Sequence, residues 1–503
     1  MENVKKAPAE WLKNAVNSSR IDPVWFLVML AFVLRLTTFM GMAEGDDLYY
    51  TMLANRFANG NYSAGFIFDI RWVVYVPVAL LYKIFGVNDV TSIAPTFIYG
   101  LAGVWLAFRI VERETDRFTA SVATLLYLSF PVVLIYGNFL QVAPSLEFFT
   151  LLTVYAFQRG TEKLSSGWAL LAGLAIGGVL LARTTGVIIA PLMSLYLVVK
   201  RGFNKKTVGF IALAALCTFI IPAVQGFVYL AIHNDFFHHI KISEKAITYQ
   251  NSMDDVDPKD TFFYVRTMFL KQDFANWRTY GFNGYFLIAA LLCIGVRLCM
   301  KKRGKELLFL AWYTACFLFL SFAPTSFSPY TMLIRNIRYS IVFILPICAV
   351  FAVLLVEYMN KNKVLTVTMS LLLVAMFASN VYFSESESGR FKARRERQKS
   401  STEWVLEHYP TEQIYLADKN IDRRLMYYSG YKHNNYKHIR SLDQIRKPGI
   451  LLLLHSGGYS VTRFYIPKKE VQKIEKKPPK GLKLVKDLPY FRVFEADPEV
   501  LNK

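Results

Sequence analysis

Two adjacent acids, Asp46 and Asp47, follow the first hydrophobic run of this chain, in the stretch Gly45-Asp46-Asp47-Leu48-Tyr49-Tyr50. Carboxylates at a membrane edge are costly unless they bind or catalyse something. One role is structural: acids at the start of a helix complement its dipole. The chemical role is that of a general base, which takes a proton from an acceptor hydroxyl or amine within hydrogen-bond reach. Tyr50, Ala54 and Phe57 then follow at near-helical spacing, predicting an amphipathic helix lying on the membrane.

Basic residues recur at the ends of apolar runs. Arg71 opens one, Arg183 closes another, and Arg335 and Arg338 lie in Ile334-Arg335-Asn336-Ile337-Arg338-Tyr339. Such arginines often only snorkel to headgroups. Together with two acids they suit a phosphate-bearing substrate, because the guanidinium fork matches phosphate oxygens. Asn138, Gln141 and Glu147 form another polar group between runs. His233, His238 and His239, with Asp69, form a set that could ligate a divalent metal; solvated loop polarity is the plainer account. The acids Asp254, Asp255, Asp257 and Asp260 read as a solvated face.

The elements that must position these residues are membrane spans. The chain has 503 residues, 54% hydrophobic and only 19% charged, too apolar for an ordinary soluble enzyme. Apolar runs fall near 22–42, 92–108, 118–137, 146–157, 167–182, 186–199, 207–232, 284–300, 306–322, 340–357 and 363–383. The run 72–86 is short for a span. If it stays interfacial or re-entrant and the N-terminus is cytoplasmic, every short basic loop falls on the cytoplasmic side. The expected architecture is an α-helical polytopic membrane protein of about 11 spans plus that segment. Its outer loops are 43–91, 233–283 and 323–339, with Asn138–Glu147 between spans, and its C-terminus is extracytoplasmic.

Residues 384–503 read as a small soluble α/β domain, with a helix near Thr402–His408, a strand over Gln413–Ala417 and an apolar strand Ile450–Leu454. Net charge is +21, and from Ser384 onward 25 Lys and Arg face 15 Asp and Glu. A basic surface beside a bilayer favours anionic headgroups or phosphate substrates, and nucleic acid is not an expected partner. The cysteines Cys217, Cys293, Cys299, Cys316 and Cys348 lie in or at the ends of apolar runs, without metal spacing or a disulfide framework.

The ordered set resembles the GT-C superfamily of integral membrane glycosyltransferases, in particular the branch of protein O-mannosyltransferases and aminoarabinose lipid A transferases. The residues that carry the resemblance are Asp46-Asp47-x-x-Tyr50-x-x-x-Ala54…Gly60, Arg71…Phe85-Gly86, Gly173…Arg183 and Arg335-x-x-Arg338-Tyr339. The family implies an outward-facing site in the plasma membrane and a sugar donor on polyprenyl phosphate. It implies Asp46 as general base, with Asp47 orienting acceptor, backbone or metal. Arg71 contacts donor phosphate, assisted by Arg183, Arg335 and Arg338. Tyr50, Asn138, Gln141, Glu147 and Tyr339 are candidate substrate contacts. No cofactor is required; a divalent metal at His233, His239 and Asp69 is the one candidate. The sequence departs from the family pattern in having Asp-Asp for Asp-Glu, Trp72 rather than proline after Arg71, and no aspartate near 138–147. A lipid-linked sugar flippase and a non-catalytic envelope-assembly protein are the competing readings.

Overall fold

The computed structural model describes residues 8–42, 45–251, 306–327, 330–332, 337–359, 363–417, 419–433, 435–455, 466 and 468–501. The helices begin with α1 (Pro8–Ser18), α2 (Pro23–Thr37), α3 (Asp46–Ala58), α4 (Trp72–Phe85), α5 (Asp89–Glu114), α6 (Arg117–Ser129) and α7 (Pro131–Tyr136). They continue with α8 (Val142–Glu162), α9 (Ser166–Ala182), α10 (Ile189–Arg201), α11 (Lys205–Thr218), α12 (Ile220–His233) and α13 (His238–Asn251). After α14 (Leu307–Phe322) come a hairpin of β1 (Pro324–Phe327) and β2 (Tyr330–Met332), then α15 (Ile344–Met359) and α16 (Lys363–His408). The C-terminal elements are β3 (Ile414–Leu416), α17 (Lys419–Tyr428), β4 (Tyr436–His438), β5 (Gly449–Leu454), α18 (Lys468–Lys476), β6 (Leu482–Asp487) and β7 (Phe491–Ala496).

Among the described residues, five helical stretches are long and apolar enough to cross a membrane: Asp89–Glu114, Thr184–Arg201, Lys205–His233, Tyr339–Met359 and Thr366–His408. Shorter apolar helices are Pro23–Thr37, Trp72–Phe85, Ser166–Ala182 and Leu307–Phe322. Helix α4 rises about 21 Å, well short of a hydrocarbon core of about 30 Å. The apolar run 284–300 and the acids Asp254, Asp255, Asp257 and Asp260 lie outside the described residues.

Several runs fold differently from a plain span. The run 118–137 is broken, because Pro131 holds Phe130 extended (φ −69°, ψ 124°) and ends α6 at Ser129. Pro131 then opens α7, where its missing N–H costs nothing. The run 146–157 is the middle of the longer α8, so only Gly137–Gln141 is loop where 138–147 was expected. The run 363–383 does not stop at Ser384: α16 is 46 residues long in all and runs through the expected helix at Thr402–His408. Its hydropathy changes there, but the helix carries on through Gly389 and meets no proline until Pro410.

The chain divides into two compact units. The first comprises Met1–Phe39, Ser63–Val74 and Pro95–Ser388. Its core joins α2, α5–α11, α14 and α15 around residues such as Phe108, Tyr127, Phe157, Trp312 and Phe343. Helix α9 carries Gly173 and Gly177 against the backbone carbonyls of Ala214 and Thr218, so a side chain at either glycine would push α11 away. Small residues at this spacing are the common means of close helix approach in lipid.

The second unit comprises Met40–Tyr62, Tyr75–Ala94 and Gly389–Lys503. The acidic pair therefore folds with the C-terminal region, although more than 300 residues separate them. The sheet runs β4-β3-β5-β7-β6, with β3 parallel to β4 and β5 and with β7 antiparallel to β5 and β6. Central β5 is buried on both faces. Ile450, Leu452 and Leu454 pack with Val405, Ile421 and Leu425, while Leu451 and Leu453 pack with Val471 and Ile474. Burial on both faces is why Ile450–Leu454 reads as an unbroken apolar run rather than an alternating one.

Candidate active site

In the second unit, Asp46 and Asp47 are the first two residues of α3. Gly45 precedes them at φ +71°, and its carbonyl accepts the Tyr49 amide at 3.2 Å. Both acids thus stand in the first turn, where the helix dipole favours negative charge. They differ in exposure: Asp47 is fully buried and Asp46 is partly open. An open carboxylate can meet an acceptor, and a buried one is held by the protein.

The amphipathic surface helix expected from the spacing is not what forms. Leu48, Tyr50, Thr51, Met52, Leu53 and Ala54 are all buried, which takes up most of the helix circumference. Two contacts from the C-terminal region account for part of this. Tyr431 donates to Thr51 Oγ1 at 2.9 Å, and the Arg423 guanidinium lies 4.9 Å from the Tyr49 ring centre. At the helix end, Phe57 joins an aromatic cluster with Tyr62 and Tyr75. These neighbours are distant in sequence, so the local pattern could not announce them.

In the first unit, Arg71 closes a tight loop over 64–71. The Asp69 carboxylate accepts the amides of Gly65 at 2.7 Å and Phe66 at 2.8 Å, and the Arg71 guanidinium lies 4.8 Å from the Phe68 ring centre. His233 accepts the Ala64 amide at 3.2 Å, His238 bonds the Ala64 carbonyl at 2.9 Å, and the two rings stack 4.1 Å apart. Gln225 donates to the Ile70 carbonyl at 2.8 Å. The histidines at the α12–α13 junction therefore clasp the backbone that leads to Arg71.

His233, His239 and Asp69 are not gathered as a ligand set, and no group of three or more metal-type residues occurs among the described residues. Desolvation lowers the pKa of the half-buried His239 imidazole. We expect Asp69→Ala to cost about 1–3 kcal/mol of stability, because two part-buried hydrogen bonds to a carboxylate are lost, from the amides of Gly65 and Phe66. Thermal unfolding in detergent, with and without added zinc, measures this; a metal-dependent loss would return Asp69 to a ligand role.

Two predicted residues do meet. The Arg183 guanidinium lies over the Tyr339 ring at 3.4 Å, and its Nε donates to Thr185 Oγ1 at 3.0 Å. Extended backbone at Arg183 ends α9 there, and a 3-10 turn, Thr184–Ile188, follows. Arg338 stands on the 3-10 helix Ile337–Phe343, where only its backbone is described, and Arg335 lies outside the described residues. Gln141 caps the N-terminus of α8 by position, without a side-chain cap bond.

Asn138 and Glu147 are interior residues. Asn138 donates to Thr38 Oγ1 at 2.8 Å and to the Arg35 carbonyl at 3.2 Å. Glu147 accepts the Tyr127 hydroxyl at 2.5 Å. Both belong to a buried network around Arg35, which donates to the Val133 carbonyl at 3.4 Å and feels the fields of Tyr127 and Glu147. Sequence reasoning passed over Arg35. The signal was there: a lone arginine inside the first apolar run is a marked position in lipid.

Residues 72–225 match the family model of dolichyl-phosphate-mannose-protein mannosyltransferases. The fold is similar to that of ArnT from Cupriavidus metallidurans bound to undecaprenyl phosphate, with TM-score 0.66 and 13% identity, covering 95% of this chain and 98% of that one. The apo form of the same protein gives TM-score 0.64 at the same identity and coverage. An Archaeoglobus fulgidus oligosaccharyltransferase in complex with zinc and sulfate gives TM-score 0.51 and 13% identity over 80% of this chain and 61% of that one. No curated protein matches by sequence. The fold class expected from the sequence is present: a mostly helical chain with several apolar helices and a small C-terminal five-stranded sheet, in a fold similar to that of ArnT.

Proposed function

We propose that this GT-C-like membrane protein is a glycosyltransferase that moves a monosaccharide from a polyprenyl-phosphate donor to an extracytoplasmic acceptor, which is a protein, a lipid or a glycan. The observation that carries the reading is the acidic pair in the first turn of α3, one carboxylate buried and one open, on a fold of this kind. The undecaprenyl phosphate of the ArnT structure and the mannosyltransferase family model support a lipid-phosphate donor.

The chemistry is a single displacement. The acceptor oxygen or nitrogen attacks the anomeric carbon as Asp46 takes its proton. The carbon–oxygen bond to phosphate breaks, and its electron pair leaves with the lipid phosphate. Attack from the opposite face inverts the anomeric centre. Arg71, Arg183, Arg335 and Arg338 neutralise charge on the leaving phosphate. Tyr50, Gln141 and Tyr339 belong to the proposed substrate set with Asn138 and Glu147; Tyr50, Asn138 and Glu147 are buried and serve it by positioning. Asp47 orients the acceptor or the backbone beside it. No cofactor is needed.

The test is mass spectrometry of cell-envelope glycans in cells lacking the gene, complemented with the parent or with Asp46→Asn. A sugar restored by the parent and not by the variant supports the reading; restoration by both sinks the assignment of Asp46. The same reading places the N-terminus in the cytoplasm and α3 with the C-terminal domain outside. A reporter fused after residue 501 is expected to be active outside and silent inside. The opposite pattern would overturn the sidedness.

A further inference from the structure

We propose that Tyr431 of the C-terminal domain is a positioning residue for the reaction, acting through Thr51 on the helix that carries the acidic pair. The inference rests on the reading of Asp46 as the base and adds a residue that neither the motif set nor the comparisons assign.

The contact is a short polar relay. The Tyr431 hydroxyl donates to Thr51 Oγ1 at 2.9 Å, and the Thr51 hydroxyl donates in turn to the Leu48 carbonyl at 2.9 Å. Leu48 directly follows Asp47, so the relay ends on the first helical turn. Thr51 is fully buried, one helical turn from Asp47. A tyrosine is protonated at ordinary pH, and desolvation pushes the Tyr431 phenol further up, so it remains a donor.

The backbone at Tyr431, which makes this contact, is strained. Helix α17 closes on a Schellman pattern: the Gly430 amide donates to the Tyr427 carbonyl at 3.0 Å and the Tyr431 amide to the Met426 carbonyl at 2.6 Å. Gly430 takes the left-handed conformation at φ +61°, as that motif requires. Tyr431 repeats it at φ +62°, although a bulky side chain rarely sits there. Such conformations persist where surrounding structure over-determines them, and they cluster at functional positions.

Further bonds close the clasp. Arg395 donates to the carbonyl of Gly41, four residues before Gly45. Tyr427 donates to Asp89 at 2.9 Å and shares a 3.0 Å bond with Ser92. Arg423 covers Tyr49, which stands between Asp46 and Thr51 on α3. The C-terminal region thus holds the approach to α3, its first turn and its middle. Catalytic groups lose rate steeply when displaced by an ångström or so.

The full-length protein in membranes is assayed with undecaprenyl-phosphate mannose, glucose, galactose and aminoarabinose, keeping the donor that the parent turns over. Tyr431→Phe and Thr51→Val are each expected to lower kcat about tenfold. The donor KM stays within about twofold, and Thr51→Ser, which keeps the hydroxyl, restores the rate. Unchanged kcat in Tyr431→Phe and Thr51→Val overturns the inference, as does a loss that Thr51→Ser does not recover. Asp46→Asn run alongside separates the two claims. An active Asp46→Asn sinks the base, whereas an inactive Asp46→Asn with a fully active Tyr431→Phe sinks the positioning role alone. Amide hydrogen exchange over 46–54 needs no turnover: Tyr431→Phe is expected to speed exchange in the first turns of α3, and an unchanged pattern counts against the relay.

Discussion

Asp46→Asn is expected to lower sugar transfer by about 10³-fold while the protein still folds and inserts, within the range of 10²–10⁴ that a positioned general base supplies. Asparagine keeps the size and most of the polarity of the side chain but cannot take the acceptor proton. Asp46 is partly exposed and opens α3, so the substitution leaves no buried cavity and removes only a favourable charge at the helix N-terminus. That charge is worth about 0.3–1 kcal/mol at most ordinary sites, far less than the barrier change expected. The measurement is initial transfer rate from the lipid-phosphate donor, alongside a melting curve in detergent. Full activity would remove Asp46 from the chemistry.

Asp47→Asn makes an informative partner. Because Asp47 is fully buried, its replacement should act on folding and on the placement of Asp46 more than on proton transfer. The two adjacent acids are expected to fail in different ways, one in rate and one in rate and melting together.

Replacing Arg35 with methionine should destabilise the first unit by about 3–5 kcal/mol, the scale seen when one member of a buried charge network is removed. Its guanidinium fills the space beside Gly100 and Gly137, where neither glycine has room for a β-carbon while Arg35 is in place. It contributes to a network with Val133, Tyr127 and Glu147, and Asn138 bonds its backbone carbonyl. Adding Glu147→Leu to Arg35→Met should recover part of the loss, because no buried acid is then left without its cation. Thermal midpoints of both single variants and the double variant measure this coupling. Strict additivity would show that the two charges do not support one another.

Much of this protein is written locally. The lengths of the apolar runs mark the spans, since a bilayer fixes how many apolar residues a helix needs. Pro131 and Gly45 place breaks, and the unbroken run Ile450–Leu454 announces a strand covered on both faces. The placement of Asp46 and Asp47 at a helix start is also local, because the dipole and the spacing of the next residues speak within one turn.

Other features depend on residues far apart in the chain. Arg183 meets Tyr339 only when α9 ends near the 3-10 helix Ile337–Phe343. Asp69 and His233, which read as metal ligands by type, instead satisfy the amides of Gly65, Phe66 and Ala64, and amide demand is invisible until the loop is folded. The sequence by itself determined that this is a many-span membrane protein with an acidic pair at a helix start and a basic C-terminal α/β domain. Tertiary structure alone decided that α3 folds with that domain, buried almost all round and tied to Tyr431. Burial of a helix depends on which distant surfaces reach it, and no periodicity within thirteen residues encodes that.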